Sequence, residues 1–297
     1  MKAAVFGGSG FLGSHVADAL TQAGHEVTIY DLKESPHLSG SQKFVRGDIL
    51  DPAAVARALK GQEAAYNFAG LADLDEAHEQ PVESVRANVL GNTLLLEAAR
   101  AEKLGRFVFA SSIYVAGHSG GFYRASKQAC ELYVEEYQRW FGLDFTILRY
   151  GSIYGRRSDR NNGVANYLMQ ALKDRRIVIQ GTGEELREYV HVSDVAQASV
   201  QILQPEFRNQ HVVLTGHHPL RVRDLAEMIR EMVGSDVKIE FQPVIDPRTH
   251  YRVTPYSFRP QIAKKLVSNH YMDMGQGLMD CMEELHSRLQ PASGNGR

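Results

Sequence analysis

The sequence predicts an α/β protein: a doubly wound parallel sheet followed by a smaller C-terminal α+β lobe. Three observations carry this expectation. An apolar run ends in a glycine cluster within residues 3–13, and apolar runs then alternate with helical patterns through the first half of the chain. After Gly151 the texture changes, and arginine, glycine, asparagine and aromatics mix with shorter elements. Such alternation implies a parallel sheet with helices on both faces. Residues 1–150, with a return at about 186–216, are assigned to the larger domain. Residues 151–185 and 217–290 are assigned to the second lobe, and the Gly-, Ser- and Asn-rich 291–297 to a frayed tail.

The first element reads Ala3-Ala-Val-Phe-Gly7-Gly-Ser-Gly10-Phe-Leu-Gly13. It fits Gly8-x-Gly10-x-x-Gly13 and Gly7-x-x-Gly10-x-x-Gly13 at once. Glycine permits a tight turn, lets backbone N–H groups approach a pyrophosphate, and lets the next helix pack against the strand. A helix is expected from after Gly13 to about Ala23, with Val16, Ala17, Leu20 and Ala23 near 3.6 spacing and Gly24 as its stop. Its N-terminus would face the phosphates with the positive end of its dipole. Glu26–Tyr30 is the second strand, and it ends at Asp31, 18 residues past Gly13. An acid there accepts hydrogen bonds from the adenosine ribose and repels a 2′-phosphate. The alternative is an ordinary glycine-rich turn. The ordered succession of strand, glycines, helix, strand and acid favours a Rossmann dinucleotide site, with NAD over NADP despite nearby Lys33.

The remaining elements follow in order. Phe44-Val45 precedes Gly47-Asp48-Ile49, and Pro52–Leu59 is a helix with proline in its first turn. Ala64–Ala69 is a buried strand. Residues 82–101 form one long helix carrying Val85, Val89, Leu94, Leu95 and Ala98. Arg106–Ala110 is a strand, 124–140 a helix, and Phe145–Arg149 a strand. Ile177–Ile179, His211–Leu214 and Val237–Phe241 are shorter strands, some of them returning to the main sheet.

Composition narrows the partners. The 297 residues include 33 basic and 35 acidic ones, for a net charge of −2, without a charge run, so nucleic acid is not expected. Cys130 and Cys281 are far apart and suggest no disulfide framework, which fits a reducing cytosol. No signal peptide precedes the strand that starts at Lys2, and no apolar run is long enough to cross a bilayer, so a cytoplasmic protein is expected.

The chemistry points to Tyr123-Arg-Ala-Ser-Lys127. Tyrosine and lysine four apart share a helix face, and an ammonium beside a phenol favours the phenolate. Such a tyrosine can take or return an alcohol proton while a nicotinamide exchanges hydride. Ser111-Ser112 ends the preceding strand, 11 residues before Tyr123, where strand C-termini line a ligand crevice.

With these motifs the chain resembles the extended short-chain dehydrogenase/reductase family, in particular nucleotide-sugar epimerases and dehydratases of the UDP-galactose 4-epimerase type. The resemblance implies NAD held by Gly7, Gly10, Phe11, Leu12, Gly13, Asp31, Asp48, Ile49, Phe68, Ala69, Gly70, Asn88, Ala110, Ser111, Tyr123, Lys127, Tyr150 and Ile153. It implies Ser112, Tyr123 and Lys127 as catalytic residues and no metal. It places a nucleotide-diphosphate sugar against Ser112, Tyr123, Gly151, Arg187 and Arg252, with Arg248 the alternative second arginine. Tyr150 and Tyr154 are expected as pocket walls, and His191 and Asp194 as structural residues. The resemblance also implies a homodimer through helices 82–101 and 125–141, the alternative being burial of those faces within the monomer.

After the catalytic serine or threonine, family dehydratases carry an Asp-Glu pair and decarboxylases a glutamate. Ile113 and Tyr114 stand there instead, and Cys130 is not placed to epimerise a neighbouring carbon. The resemblance therefore implies a 4-epimerase, with a ketoreductase or dehydrogenase as the alternative, and a non-catalytic nucleotide sensor as a different class. The short 113–122 segment and Gly151, which replaces an asparagine of some epimerases, point to an unusual sugar.

Overall fold

The computed structural model describes residues 1–243, 250–256 and 262–289. Arg248 and the tail 291–297 lie outside the described residues. The strands are β1 (Lys2–Phe6), β2 (Glu26–Asp31), β3 (Lys43–Arg46), β4 (Ala64–Asn67), β5 (Arg106–Ser112), β6 (Phe145–Tyr150), β7 (Ser152–Tyr154), β8 (Arg176–Gln180), β9 (Leu186–Arg187), β10 (Tyr189–His191), β11 (Gln210–Leu214), β12 (Leu220–Arg221), β13 (Lys238–Gln242) and β14 (Lys264–Lys265). The helices are α1 (Phe11–Gln22), α2 (Pro52–Leu59), α3 (Leu74–Glu79), α4 (Pro81–Ser84), α5 (Gly91–Ala101), α6 (Gly121–Phe141), α7 (Gly163–Asp174), α8 (Val192–Gln201), α9 (Val222–Val233) and α10 (Met274–Leu289).

Eight strands form one parallel sheet in the order β14-β11-β6-β5-β4-β1-β2-β3. β1 pairs with β2 on one side and β4 on the other, so the winding reverses between β1 and β4. A crevice opens outside the strand C-termini at such a switch point.

Both faces of β1 are covered. Ala4 and Phe6 join one core with Leu59, Leu95, Phe109 and Val134, beneath α2, α5 and α6. Ala3 and Val5 join the other with Val16, Leu20, Val192 and Val195, beneath α1 and α8. A strand buried on two faces reads as a continuous apolar run, as residues 3–6 do. A third core, with Leu168, Ile177, Leu225, Ile229 and Leu278, builds the second lobe from α7, α9, α10 and the β8–β13 pair. Two short pairs, β7–β10 and β9–β12, complete it. β11 and α8 return to the large domain. β14, from the stretch assigned to the second lobe, adds the last strand to the main sheet.

The expected single helix at 82–101 is three segments. α4 leads into a π-helical stretch, Val85–Leu90, which leads into α5. Asn88 sits inside the π stretch and turns its amide onto the backbone of Leu71, accepting from its N–H at 2.7 Å and donating to its carbonyl at 3.0 Å. The wider turn accommodates that side chain. α1 begins at Phe11, before Gly13, and β4 ends at Asn67, so Phe68–Gly70 is loop.

Candidate active site

The turn after β1 shows why glycines stand where they do. Gly7 has φ of +74°, and a Cβ there would lie 2.5 Å from the Ala69 nitrogen. A Cβ on Gly13 would lie 2.2 Å from the Gly7 carbonyl oxygen. These two positions exclude any side chain, and a Cβ on Gly8 would also crowd the Val5 carbonyl oxygen at 2.9 Å, so the turn needs the glycines of both templates. Gly10 caps α1, and a Cβ there would meet only the Gly7 oxygen at 3.4 Å. The first turn of α1 carries no acid and no side-chain cap, so its N–H groups are available to an anion.

Asp31 is anchored beside this turn, with its carboxylate accepting from the Ser9 N–H at 3.0 Å. Asp48 accepts from the Leu50 N–H at 2.9 Å, which makes a local turn, and Ile49 is buried in the first core. The loop after β4 is held from below. Asn67 accepts from the Ala69 N–H at 3.1 Å and donates to Asn92 at 2.9 Å. A Cβ on Gly70 would lie 2.4 Å from the Asn88 Oδ1. Phe68 stacks on Tyr66, ring centroids 6.3 Å apart. An open Gly10, an uncapped helix end, a ribose-side acid and a loop pinned close to Gly7 together fit a dinucleotide such as NAD. Asn88 fits as the residue that shapes this floor: it also donates to the Ser126 hydroxyl at 2.9 Å, linking the loop to α6.

α6 begins at Gly121 and carries Tyr123 and Lys127 on one face. Ser112 ends β5 near enough to the Tyr123 phenol to lower its proton affinity. Lys127 is buried and donates to the Ala110 carbonyl at 2.8 Å, with its ammonium 5.0 Å from the Phe109 ring centroid and 5.8 Å from that of Tyr123. Thus α6 and the C-terminus of β5 bring all three expected catalytic residues together. Burial pushes the Tyr123 phenol up, and the Ser112 hydrogen bond opposes it. Burial pulls the Lys127 ammonium down.

Beside the trio lies a groove of about 1250 Å³, bounded by Tyr114, Gly151, Ile153, Tyr167, Arg187, Tyr251 and Arg252 among others. Arg187 lies over the Tyr251 ring at 4.3 Å and donates to the Leu186 carbonyl at 3.0 Å. Arg252 is exposed at the groove, and its carbonyl accepts from the Leu186 N–H at 2.8 Å. Gly151 is required by packing, since a Cβ would come 2.7 Å from Thr215 Cγ2. Tyr150 and Tyr154, expected as pocket walls, do not line this groove, and Tyr154 walls a smaller cavity of about 170 Å³ with His191, Asp194 and Met272. Tyr150 is buried with its hydroxyl 2.8 Å from that of Ser199, because β6 is covered on both faces. Tyr154 belongs to the second-lobe core. The Ser111 hydroxyl turns away from the crevice and donates to Glu131 at 2.5 Å. His191 and Asp194 serve the framework: His191 caps α8, and Asp194 accepts from the Met272 N–H at 2.8 Å.

The sequence reading missed two bonds at the groove and one buried carboxylate. Tyr114 bonds His250 at 2.9 Å across the groove, and Tyr251 bonds the Ser152 hydroxyl at 3.0 Å. The carboxylate is that of Glu131, whose spacing of four from Lys127 and eight from Tyr123 was available as a helix-face signal.

A parallel sheet with a phosphate turn at its switch point and a Ser-Tyr-Lys trio opposite defines a dinucleotide-dependent enzyme of the Rossmann type. The chain belongs to the NAD dependent epimerase/dehydratase family, whose model matches residues 3–215, and NAD is its cofactor. It is 29% identical over 251 residues to a putative UDP-glucose 4-epimerase of Methanocaldococcus jannaschii, covering 77% of this chain and 82% of that one. It is also 29% identical over 282 residues to a dTDP-glucose 4,6-dehydratase of Streptomyces antibioticus, covering 85% and 83%. The UDP-glucose 4-epimerase of Thermus thermophilus, crystallised with NAD, superimposes with a TM-score of 0.83 at 25% identity, covering 96% of this chain and 99% of that one. Among the described residues no helix is long and apolar enough to cross a membrane, and both cysteines are free and buried.

Proposed function

We propose that this protein is a nucleotide-sugar 4-epimerase. One observation carries the choice within the family. Tyr123, Ser112 and Lys127 are assembled for proton exchange with an alcohol, while the two residues after Ser112 are Ile113 and Tyr114, neither of which is an acid. Elimination of water or loss of carbon dioxide needs a further acid–base group next to the trio. Inversion at one carbon needs only oxidation, a turn of the ketone and reduction on the other face.

The chain's own residues would act as follows. Bound NAD would supply the hydride acceptor and donor. The glycine turn and α1 would hold its pyrophosphate, and Asp31 its adenosine ribose. Tyr123 takes the C4 hydroxyl proton and gives it back after the ketone has turned. Ser112 donates to the reacting oxygen and holds it in line. Lys127 would keep positive charge near the phenolate and bind the nicotinamide ribose. Arg187 would release its stack on Tyr251 to bind the diphosphate through its donor fork, with Arg252 beside it.

The same reading includes a homodimer. α4, α5 and the π stretch between them pack alongside α6. Together they expose Val82, Val85, Leu132, Tyr133, Trp140 and Phe141, a set of large apolar side chains suited to a second copy.

Incubation with UDP-, GDP-, CDP- and dTDP-sugars, followed by NMR at C4, tests the proposal. Inversion without net cofactor reduction is the expected result. Stoichiometric reduction would make the protein a dehydrogenase instead, which would also release its cofactor on purification where an epimerase retains it.

A further inference from the structure

Glu131 has no solvent exposure, an unusual condition for a carboxylate. It lies on α6 one turn past Lys127 and two past Tyr123, so the three share a face. Two strands hold its carboxylate. Ser111 of β5 donates its hydroxyl at 2.5 Å, and Arg149 of β6 donates through Nε at 3.0 Å and Nη2 at 2.7 Å. Arg149 is buried as well, and its Nη2 lies 3.3 Å from His211 Nδ1. The other ring nitrogen of His211 is 3.0 Å from a Glu135 carboxylate oxygen.

The sequence positions of these partners matter. Ser111 directly precedes Ser112, and Ala110, which precedes it, accepts the Lys127 hydrogen bond. Arg149 leads into Tyr150-Gly151 at the groove. One carboxylate therefore ties the helix bearing Tyr123 and Lys127 to the strand bearing Ser112 and to the strand leading into the groove wall.

Charge gives the tie a second effect. Lys127 faces Tyr123, Cys130 and Glu131 on its own helix, and the Phe109 ring and Ala110 carbonyl on β5. Arg149, His211 and Glu135 stand behind Glu131. Burial pulls the ammonium down, and Cys130 and Glu131 oppose it. Cys130 is no stable source of that opposition, because burial pushes its thiol up to about 12 and a neutral thiol carries no charge.

We propose that Glu131 is a positioning residue for the reaction, holding Lys127 and Tyr123 of α6 in register with Ser112 of β5. This rests on the reading of those three residues as the reacting trio.

The test is the variant Glu131→Gln, which keeps the shape and removes the charge. Lys127 is titrated directly by NMR of lysine labelled at Cε, its signal assigned by loss in Lys127→Met, and the kcat–pH profile is measured in parallel. The midpoint of Lys127 is expected to move to lower pH. The alkaline limb of kcat is expected to follow it, with kcat down by about tenfold and KM for the nucleotide sugar nearly unchanged. Glu131→Asp is expected to restore most of the limb. The double variant E131Q/R149M, which removes the carboxylate together with the guanidinium it pairs, covers misfolding and should show a smaller downward displacement, because loss of the Arg149 charge offsets part of the loss of the carboxylate. An unmoved Lys127 midpoint in a folded variant overturns the proposal. A moved midpoint with unaltered turnover leaves the electrostatic role standing and shows instead that Lys127 does not belong to the reacting trio.

Discussion

The Tyr114 hydroxyl lies 2.9 Å from His250 Nδ1, joining the turn after Ser112 to a segment 136 residues further on. The Tyr114 ring also stands edge-on to Tyr123, centroids 6.2 Å apart, and packs on Tyr251 at 4.9 Å. The pair closes one side of the groove next to Tyr123. Tyr114→Phe should keep the ring and lose the bond, raising KM a few-fold at nearly constant kcat, as expected for a contact worth about 1 kcal/mol. Tyr114→Ala should admit sugars with bulkier substituents beside C4. Initial-rate kinetics over a sugar panel checks both; a large loss of kcat in the phenylalanine variant would give Tyr114 a chemical role.

Tyr123→Phe should lower turnover by roughly 10²–10⁴-fold by removing the proton carrier. Cofactor affinity, measured by fluorescence titration with NAD, should change little. Full activity in this variant would end the catalytic assignment.

Two glycine variants separate folding from binding. Gly13→Ala forces a Cβ to within 2.2 Å of the Gly7 oxygen, and should cost about 2 kcal/mol or more of stability. Gly10→Ala meets only a 3.4 Å contact, and should leave stability within about 0.5 kcal/mol. Its methyl would instead occupy pyrophosphate space and weaken NAD binding at least about tenfold. Thermal melts with and without NAD distinguish the two.

Leu132 and Trp140, 52% and 75% exposed on α6, should lie in the contact between two copies. Leu132→Glu is expected to convert a dimer to a monomer in sedimentation. A wild-type protein that already sediments as a monomer would remove the dimer from the reading.

Burial also sets a pH dependence. His191 is 4% exposed, and burial lowers its affinity for a proton, opposed by Asp194 and Asp280. His15 is lowered by burial as well. The unfolded chain therefore takes up protons before the folded one does. The stability contributed by neutral imidazole is full above the ordinary value of 6.5 and is lost as pH falls below it. Urea unfolding across this range should show a decline on the acid side, smaller in His191→Gln. Constant stability would contradict it.

What the sequence made legible was local. The glycine turn, Asp31 and Tyr-x-x-x-Lys are short-range patterns whose spacing carries their geometry. Ser112 was legible because it ends a strand, and strand ends line the crevice. The Glu131–Arg149–Ser111 cluster was not, because it depends on how α6 lies across β5 and β6. The Tyr114–His250 bond was hidden by separation along the chain. Tyr150 misled because β6 is covered on both faces, and Tyr154 walls a cavity beside the second-lobe core rather than the groove.

The π stretch at Val85–Leu90 is a phase slip in an otherwise regular rod. An added residue in one turn rotates everything beyond it by roughly 100° relative to an uninterrupted helix. The side that shows Val82 and Val85 to solvent is therefore out of step with the side that buries Leu95 and Leu96. A one-residue deletion here would straighten the rod, yet it would turn either the outer stripe or the inner one the wrong way and pull Asn88 off Leu71. The irregular turn thus works as a gearing between two surfaces, one toward the sheet and one outward, with the floor of the nucleotide crevice held at the slip itself.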